Sequence, residues 1–259
     1  MALIGWTNAV DMPLVELAAS SAAFGYDVAN LRDPRGAPSI AWQTPAYTRD
    51  AFLTLNSPTP IAWRLAALCR TNLTTAARLR VRVGALATVI SAPAYDSGLI
   101  SAGVAVGIGQ ALHVMPVAVS ATTMNIYVDD AANPDLCLNI PLAYAGSMQD
   151  VAIGPSSDTG LNVRRADTTS RGGTVTTQPL SWARQWEVRL PFLRDADIAW
   201  LDTLEAAAAV GRNVMFVPRE THARASSEAI LGLLTPGRRG FLGSTGNNRS
   251  WSASINERI

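Results

Sequence analysis

The sequence contains no lysine; all 21 of its basic residues are arginine. Arginine is planar and permanently charged, so the bias favours fixed guanidinium chemistry, but it equally reflects a GC-rich source and is read here only in that sense. Histidine and cysteine are almost as scarce, at two each: His113, His222, Cys69 and Cys137. None of the four has a second ligand at metal-binding spacing, which argues against a zinc site and sharply limits general-base chemistry. Cys69 and Cys137 each sit in an apolar run and are expected to be buried thiols, with a disulfide between them as the alternative.

Charge is absent in blocks. No acid occurs from Ala51 to Tyr95, no arginine from Val83 to Val163, and no Asp, Glu or Arg from Ser97 to Val128. The last gap is long enough to span a bilayer. Its glycines, Gln110, His113 and Pro116 break it into short β-branched pieces, which favours buried strands over a membrane helix. The N-terminus lacks a basic segment followed by a long apolar core, so no secretory signal is expected and synthesis in a cytoplasm follows. A net charge of +1 gives little global attraction to nucleic acid or anionic membrane, so any charge-based function must be local.

What is present is apolar: 48% of 259 residues, ample for one large β domain or two ordinary ones, and contrary to disorder. The first stretch, 1–146, reads as a β-sandwich. Candidate strands are Ala2–Trp6, Ser39–Trp42, Ala51–Leu55, Ile61–Arg70, Ala77–Ala85, Thr88–Ser91, Ala111–Val119, Thr123–Val128 and Leu136–Ile140, separated by turn signals such as Asp33-Pro34-Arg35-Gly36 and Asn56-Ser57-Pro58. The second stretch, 147–259, reads as a β-rich module with one amphipathic helix over about 195–210. Asp195 is the expected N-cap, Ile198, Leu201, Leu204 and Ala208 form the apolar face, and Gly211 is the stop. Strands Gln185–Leu190 and Asn213–Val217 flank the helix in sequence, and Trp251–Ile255 gives a final strand near the C-terminus.

The strongest local signal is an arginine ladder. Arg78, Arg80 and Arg82 share one face of a strand while Leu79, Val81 and Val83 share the other. Arg64 and Arg70 share parity on the preceding run. If the two runs pair as a hairpin across the Thr71-Asn72-Leu73-Thr74 corner, five guanidinium groups gather on one face, and counter-charges must be close. The acids at Asp96, Asp129, Asp130, Asp135, Asp150 and Asp158 are available for that, within the fold or across a subunit interface. Nucleic acid would be better supported by interleaved aromatics, and the ladder has none. Arg64, Arg70, Arg78, Arg80 and Arg82 are therefore candidate interface residues, as are Arg164, Arg165 and Arg171 of the polar segment 164–178, which reads either as an interlocking arm or as a surface hairpin.

No catalytic constellation emerges. His113 lies between Leu112 and Val114 and reads as a hydrogen-bonded core histidine, and His222 sits in a polar loop. No Gly-x-Ser-x-Gly elbow exists, and Ser244 reads as part of a turn. Gly103, Gly107 and Gly109 lack the spacing and the lysine of a phosphate loop. The pairs Asp129/Asp130 and Asp195/Asp197 fit a strand end and a helix start.

Four segments, "NLRDPRGAPSIAWQT" (30–44), "AWRLAALCRTNLTTAARLRVRVG" (62–84), "AYDSG" (94–98) and "NIYVDDAANPDLCLNIPLAYAG" (125–146), together resemble the galactose-binding-like, discoidin-type β-sandwich that occurs in phage tail proteins. The segments "ARQWEVRLPFLRDADIAWLDTLEAAAAVGRNVMFVPRE" (183–220) and "RSWSASINER" (249–258) resemble the strand–helix–strand modules of phage tail-tip proteins, such as the distal tail protein that caps the tail tube. The resemblance implies a non-enzymatic structural component of a virion tail tip or baseplate, or of a related phage-derived particle. It would form a homo-oligomeric ring, contact tube, hub or fibre proteins, and need no cofactor. Many distal tail proteins carry the ring-forming module first, so the order here leaves another minor tail protein open. The alternative is a carbohydrate-binding protein that recognises a cell-surface glycan through the N-terminal sandwich. No binding residue is carried over from the family.

Overall fold

The computed structural model describes residues 1–242 and 248–258, so the turn expected around Ser244 lies outside the described residues. The chain is mainly β and divides into two compact units. Unit 1 is Met1–Val151 with Met215–Ala229, and unit 2 is Ala152–Val214 with Ile230–Ile259. The segment Met215–Ala229 therefore clusters with the N-terminal unit, although it follows the helix in sequence.

Unit 1 contains β1 (Ala2–Gly5), β2 (Glu16–Ala19), β3 (Trp42–Gln43), β4 (Asp50–Cys69), β5 (Arg78–Gly84), β6 (Tyr95–Asp96), β7 (Ile100–Ser101), β8 (Ala111–Asp129), β9 (Asn139–Ile140), β10 (Leu142–Gly146) and β11 (Gln149–Val151). Its main sheet runs β10-β4-β8-β5-β6, with β2 added to β4 and β7 to β5. The inner face carries Ala51, Leu53, Leu55, Leu79, Val81, Val83, Met124, Ile126 and Val128. It packs against Val10, Val28 and Leu31 of short 3-10 turns and against Trp42 and Ile140 of the β3–β9 ribbon. This second layer closes a β-sandwich core.

The two long strands each absorb a pair expected from sequence. Asp50–Cys69 joins the two runs on either side of Asn56-Ser57-Pro58, because the prolines at 58 and 60 produce a register shift between Asn56 and Ile61 instead of a chain reversal. A second shift, between Trp63↔Val119 and Leu65↔Val114, contains Pro116 on β8. It inverts side-chain parity: Leu53, Leu55 and Trp63 face the core upstream, whereas Ala66 and Leu68 do so downstream. The opposite side of that downstream half, Leu65, Ala67 and Cys69, is buried as well.

Three expectations are corrected here. Thr88–Ser91 is β-branched but forms a helical turn, with Val89 and Ala92 donating to Ala85 and Thr88 carbonyls. Ser39–Trp42 and Leu136–Ile140 shrink to the two-residue strands β3 and β9; Leu136 has φ +58, which an extended strand forbids. Most consequentially, the runs flanking Thr71–Thr74 do not form a hairpin, because β8 lies between β4 and β5. The corner is instead held by long-range polar contacts. Thr71 donates its N–H and hydroxyl to the Gly109 carbonyl at 2.7 and 2.9 Å. Asn72 donates to the Cys137 carbonyl and accepts from the Asn139 N–H, and Thr74 donates to the buried Asp130 carboxylate. Gly109 has φ +59, and a Cβ there would fall 2.2 Å from the Thr71 carbonyl oxygen, so the latch requires glycine. Cys69 and Cys137 form no disulfide; Cys69 is buried and Cys137 half-buried. The segment Ser97–Val128 is occupied by β7 and β8, and no helix among the described residues is long and apolar enough to cross a membrane.

In unit 2, β12 (Asp158–Thr169), β13 (Val175–Leu193), β15 (Ile230–Leu242) and β16 (Asn248–Glu257) form the antiparallel order β15-β16-β13-β12; β14 (Asn213–Val217) straddles the unit boundary. Helix α1 spans Asp195–Ala209 and buries Leu201, Leu204 and Ala207. Asp195 is the first helical residue and not the N-cap. The cap is Arg194, whose N–H donates to Asp197 Oδ2 at 2.8 Å. Gly211, at φ +74, ends the helix as expected. The polar segment 164–178 is the distal part of the β12–β13 hairpin, with an exposed turn at Ser170–Gly173.

Candidate functional site

Alternation along β5 turns Leu79, Val81 and Val83 inward and the ladder arginines outward, and register supplies their neighbours. Across the outer face, Arg78 aligns with Asp129 and Asp50, Arg80 with Tyr127 and Phe52, and Arg82 with Asn125 and Thr54. Arg78 pairs with Asp129. Arg80 makes a two-pronged contact to Asp96 through Nε at 2.9 Å and Nη2 at 2.6 Å, and Arg82 Nε lies 3.6 Å from the same carboxylate. Three arginines are thus paired with two carboxylates, Asp96 and Asp129, and Asp50 lies in register beside Asp129 on the same face.

The structure separates the other candidates from this group. Arg64, at the parity inversion, is largely buried; it pairs with Glu220 at 2.8 Å and donates to the Met115 carbonyl. Arg70 follows β4 at φ +60 and donates to the Gly36 carbonyl. Arg164, Arg165 and Arg171 belong to the hairpin of unit 2, where Arg165 pairs with Asp167 at 3.1 Å. His113 is hydrogen-bonded as expected, but it is half-buried beside Tyr95 and lies outside the core cluster. Its Nε2 lies 2.7 Å from the Tyr95 hydroxyl, and burial holds its pKa below the ordinary value. His222 Nδ1 accepts the Arg224 N–H. Among the described residues no three His, Cys, Asp or Glu side chains are grouped as metal ligands.

Aromatic residues give the face its character. Unit 1 exposes three, Phe24, Tyr47 and Phe52; Phe24 is fully exposed and Tyr47 81% exposed. All three lie at the end of the sandwich where β4 begins. Ala23 of the Phe24 loop donates to the Gln43 carbonyl and Ser20 to the Phe52 carbonyl, while Tyr47 sits at φ +68 in the short connection from β3 to β4. Half-buried Tyr127 joins them, its hydroxyl 3.4 Å from Asp50 Oδ2. Of the four buried side-chain polar atoms without a hydrogen-bond partner among the described residues, three belong here: Ser21 Oγ in the Phe24 loop, and Asn125 Oδ1 and Arg82 Nε on one rung of the outer face. Each such group costs about 1–3 kcal/mol when left unmet.

This aromatic end escaped the sequence reading. For Phe52 and Tyr127 a signal existed, since each is an aromatic on the polar parity of a strand, flanked by core residues. For Phe24 and Tyr47 only their position in small-residue loops was visible.

The face also fixes a pH dependence. The hydrogen bond from Arg80, helped by the Gly98 N–H and the two arginine charges, lowers the Asp96 pKa from 3.8 to about 2 against the opposing effect of partial burial. A carboxyl depressed in the folded state stabilises the fold above its unfolded value, and that contribution is lost as pH falls from 3.8 towards about 2. Urea midpoints measured across this window should fall less steeply in Asp96→Asn than in the wild type.

No protein-family model matches the chain, and no curated protein matches it. Among solved structures, a chitosan-binding module from a Paenibacillus chitosanase/glucanase aligns at 12% identity and TM-score 0.40, covering 54% of this chain and 99% of that one. A fucolectin from Morone saxatilis serum aligns at 8% and 0.41, covering 73% and 71%. A Streptococcus pneumoniae fucose-binding module aligns at 7% and 0.41, covering 55% and 99%. At these values the likenesses assign no ligand and no residue role.

Proposed function

We propose that unit 1 is a carbohydrate-binding module whose ligand lies across the aromatic end and the adjoining arginine face. The observation that carries this reading is the gathering of every exposed aromatic of unit 1 beside a face of paired arginines and carboxylates. Saccharides present C–H faces that pack on aromatic rings and hydroxyl groups that both donate and accept. Ion-paired guanidinium and carboxylate groups supply fixed donors and acceptors for such hydroxyls. Because the arginines are already paired with Asp96 and Asp129, and Asp50 adds a third carboxylate to the face, it favours a neutral sugar over a polyanion. A glycan screen followed by calorimetry at low and high salt tests this. Neutral glycans should bind with little salt dependence, whereas a steep loss of affinity with salt would indicate a polyanion and contradict the reading.

A second reading is favoured by the β12 strand, all twelve residues of which are exposed. In it the chain is a structural component of a tailed-phage tail tip or baseplate, or of a related particle, assembling into a ring with copies of itself and linking tail tube to hub or fibres within the virion. Arg78, Arg80 and Arg82 would then face a neighbouring subunit. Changing the three to serine should abolish assembly while leaving a folded monomer; unchanged assembly excludes them from the interface.

A further inference from the structure

We infer that β12 is the docking strand for a second copy of this chain, through an antiparallel β12–β12 contact across a twofold axis at Leu161. β12 ends its sheet, every one of its residues is exposed, and it contains no proline to block pairing. An edge of that length with unpaired backbone groups is a template for another strand.

Three features select the occupant and the register. The ladder with β13 runs in one register from Asp158 to Arg164 and in a shifted one from Arg165 to Thr169, so the longer uninterrupted edge is the seven-residue stretch centred on Leu161. Leu161 and Val163 share their face with Trp182, the partner of Val163, and all three are exposed. Across the sheet the same parity leads through Trp186 to Ile255 and through Leu190 to Trp251. There the face is buried, and Trp251 Nε1 donates to Glu205 of α1. The exposed stripe is therefore an uncovered extension of the core face. A twofold axis normal to the sheet keeps this stripe on one side in both copies and, centred on Leu161, places Leu161 opposite Leu161 and Val163 opposite Thr159.

The same register sets Asp158 opposite Arg164 and Arg164 opposite Asp158. Neither residue has an ion pair within the chain among the described residues, whereas the next arginine, Arg165, is already matched by Asp167. Opposite charges facing each other across strands stabilise pairing, and like charges oppose it. The edge is thus self-complementary in shape, polarity and charge, as a twofold contact requires.

Sedimentation velocity over a dilution series of the full chain tests the inference independently of any glycan. The wild type should show a monomer–dimer equilibrium, and Leu161→Arg, which sets two arginines against each other on the axis at an exposed position, should give a folded monomer by circular dichroism. Asp158→Arg and Arg164→Asp should each weaken dimerisation roughly tenfold, and the two together should restore it. A wild type that stays monomeric throughout, an oligomer indifferent to Leu161→Arg, or a double variant no better than the single ones would overturn the inference.

Discussion

Replacing Asp130 by alanine is expected to destabilise unit 1 by roughly 3 kcal/mol, the largest single effect short of emptying the core. Asp130 is buried and accepts from the Thr74 N–H at 2.8 Å, the Thr74 hydroxyl at 2.6 Å and Asn133 Nδ2 at 3.2 Å. Its own N–H donates to the Arg49 carbonyl. One carboxylate therefore ties the corner before β5 to the turn after β8, two elements far apart in sequence. Removing it leaves buried donors unmet in both. In a unit of this size the loss corresponds to a fall of roughly 6–12 °C in the transition midpoint. Asp130→Asn keeps the shape and part of the bonding and should lose less. A cycle with Thr74→Val should be non-additive, since both changes remove the same hydrogen bond.

Removing the three exposed aromatics together, Phe24→Ala, Tyr47→Ala and Phe52→Ala, is expected to lower glycan affinity roughly 100-fold with little change in stability. Each ring that packs on a sugar contributes about 1 kcal/mol or somewhat less, and the three together give about 3 kcal/mol at most. Stability should be nearly spared: Phe24 and Tyr47 are already in water, so truncation opens no cavity there, and the cost is confined to Phe52, 39% exposed, whose cross-strand pairing with Tyr127 contributes about 1 kcal/mol at most. Arg80→Ala offers a contrast. It should weaken binding and also raise the Asp96 carboxyl towards its ordinary value, whereas the aromatic changes should leave the acid limb of stability unaltered. Calorimetric titration of each variant beside its urea curve separates the two.

Much of this was readable in the chain. The alternation of Arg78, Arg80 and Arg82 with Leu79, Val81 and Val83 is a local pattern, and the sheet preserves it with the expected carboxylate partners at Asp129 and Asp96. The helix over Asp195–Ala209 and its stop at Gly211 were equally local. Strand neighbours were not, because they depend on contacts distant in sequence. Thr71–Thr74 has the composition of a hairpin corner, yet it is satisfied by Gly109, Asp130, Cys137 and Asn139, and that leaves room for β8 between β4 and β5. The parity inversion near Arg64 had the same origin. Pro116 marks an irregularity, but only the pairing of β4 with β8 reveals that Arg64 leaves the ladder and turns to Glu220. The aromatic end was hidden for a further reason. Exposure is a property of the assembled unit, and nothing local distinguishes exposed Phe24 from buried Trp42.

The most direct test of the glycan reading is an NMR titration of isotope-labelled protein with neutral oligosaccharides. The account predicts saturable shifts centred on Phe24, Tyr47, Phe52, Tyr127, Arg80 and Asp96. Shifts centred elsewhere, or no response to any neutral saccharide, would contradict it.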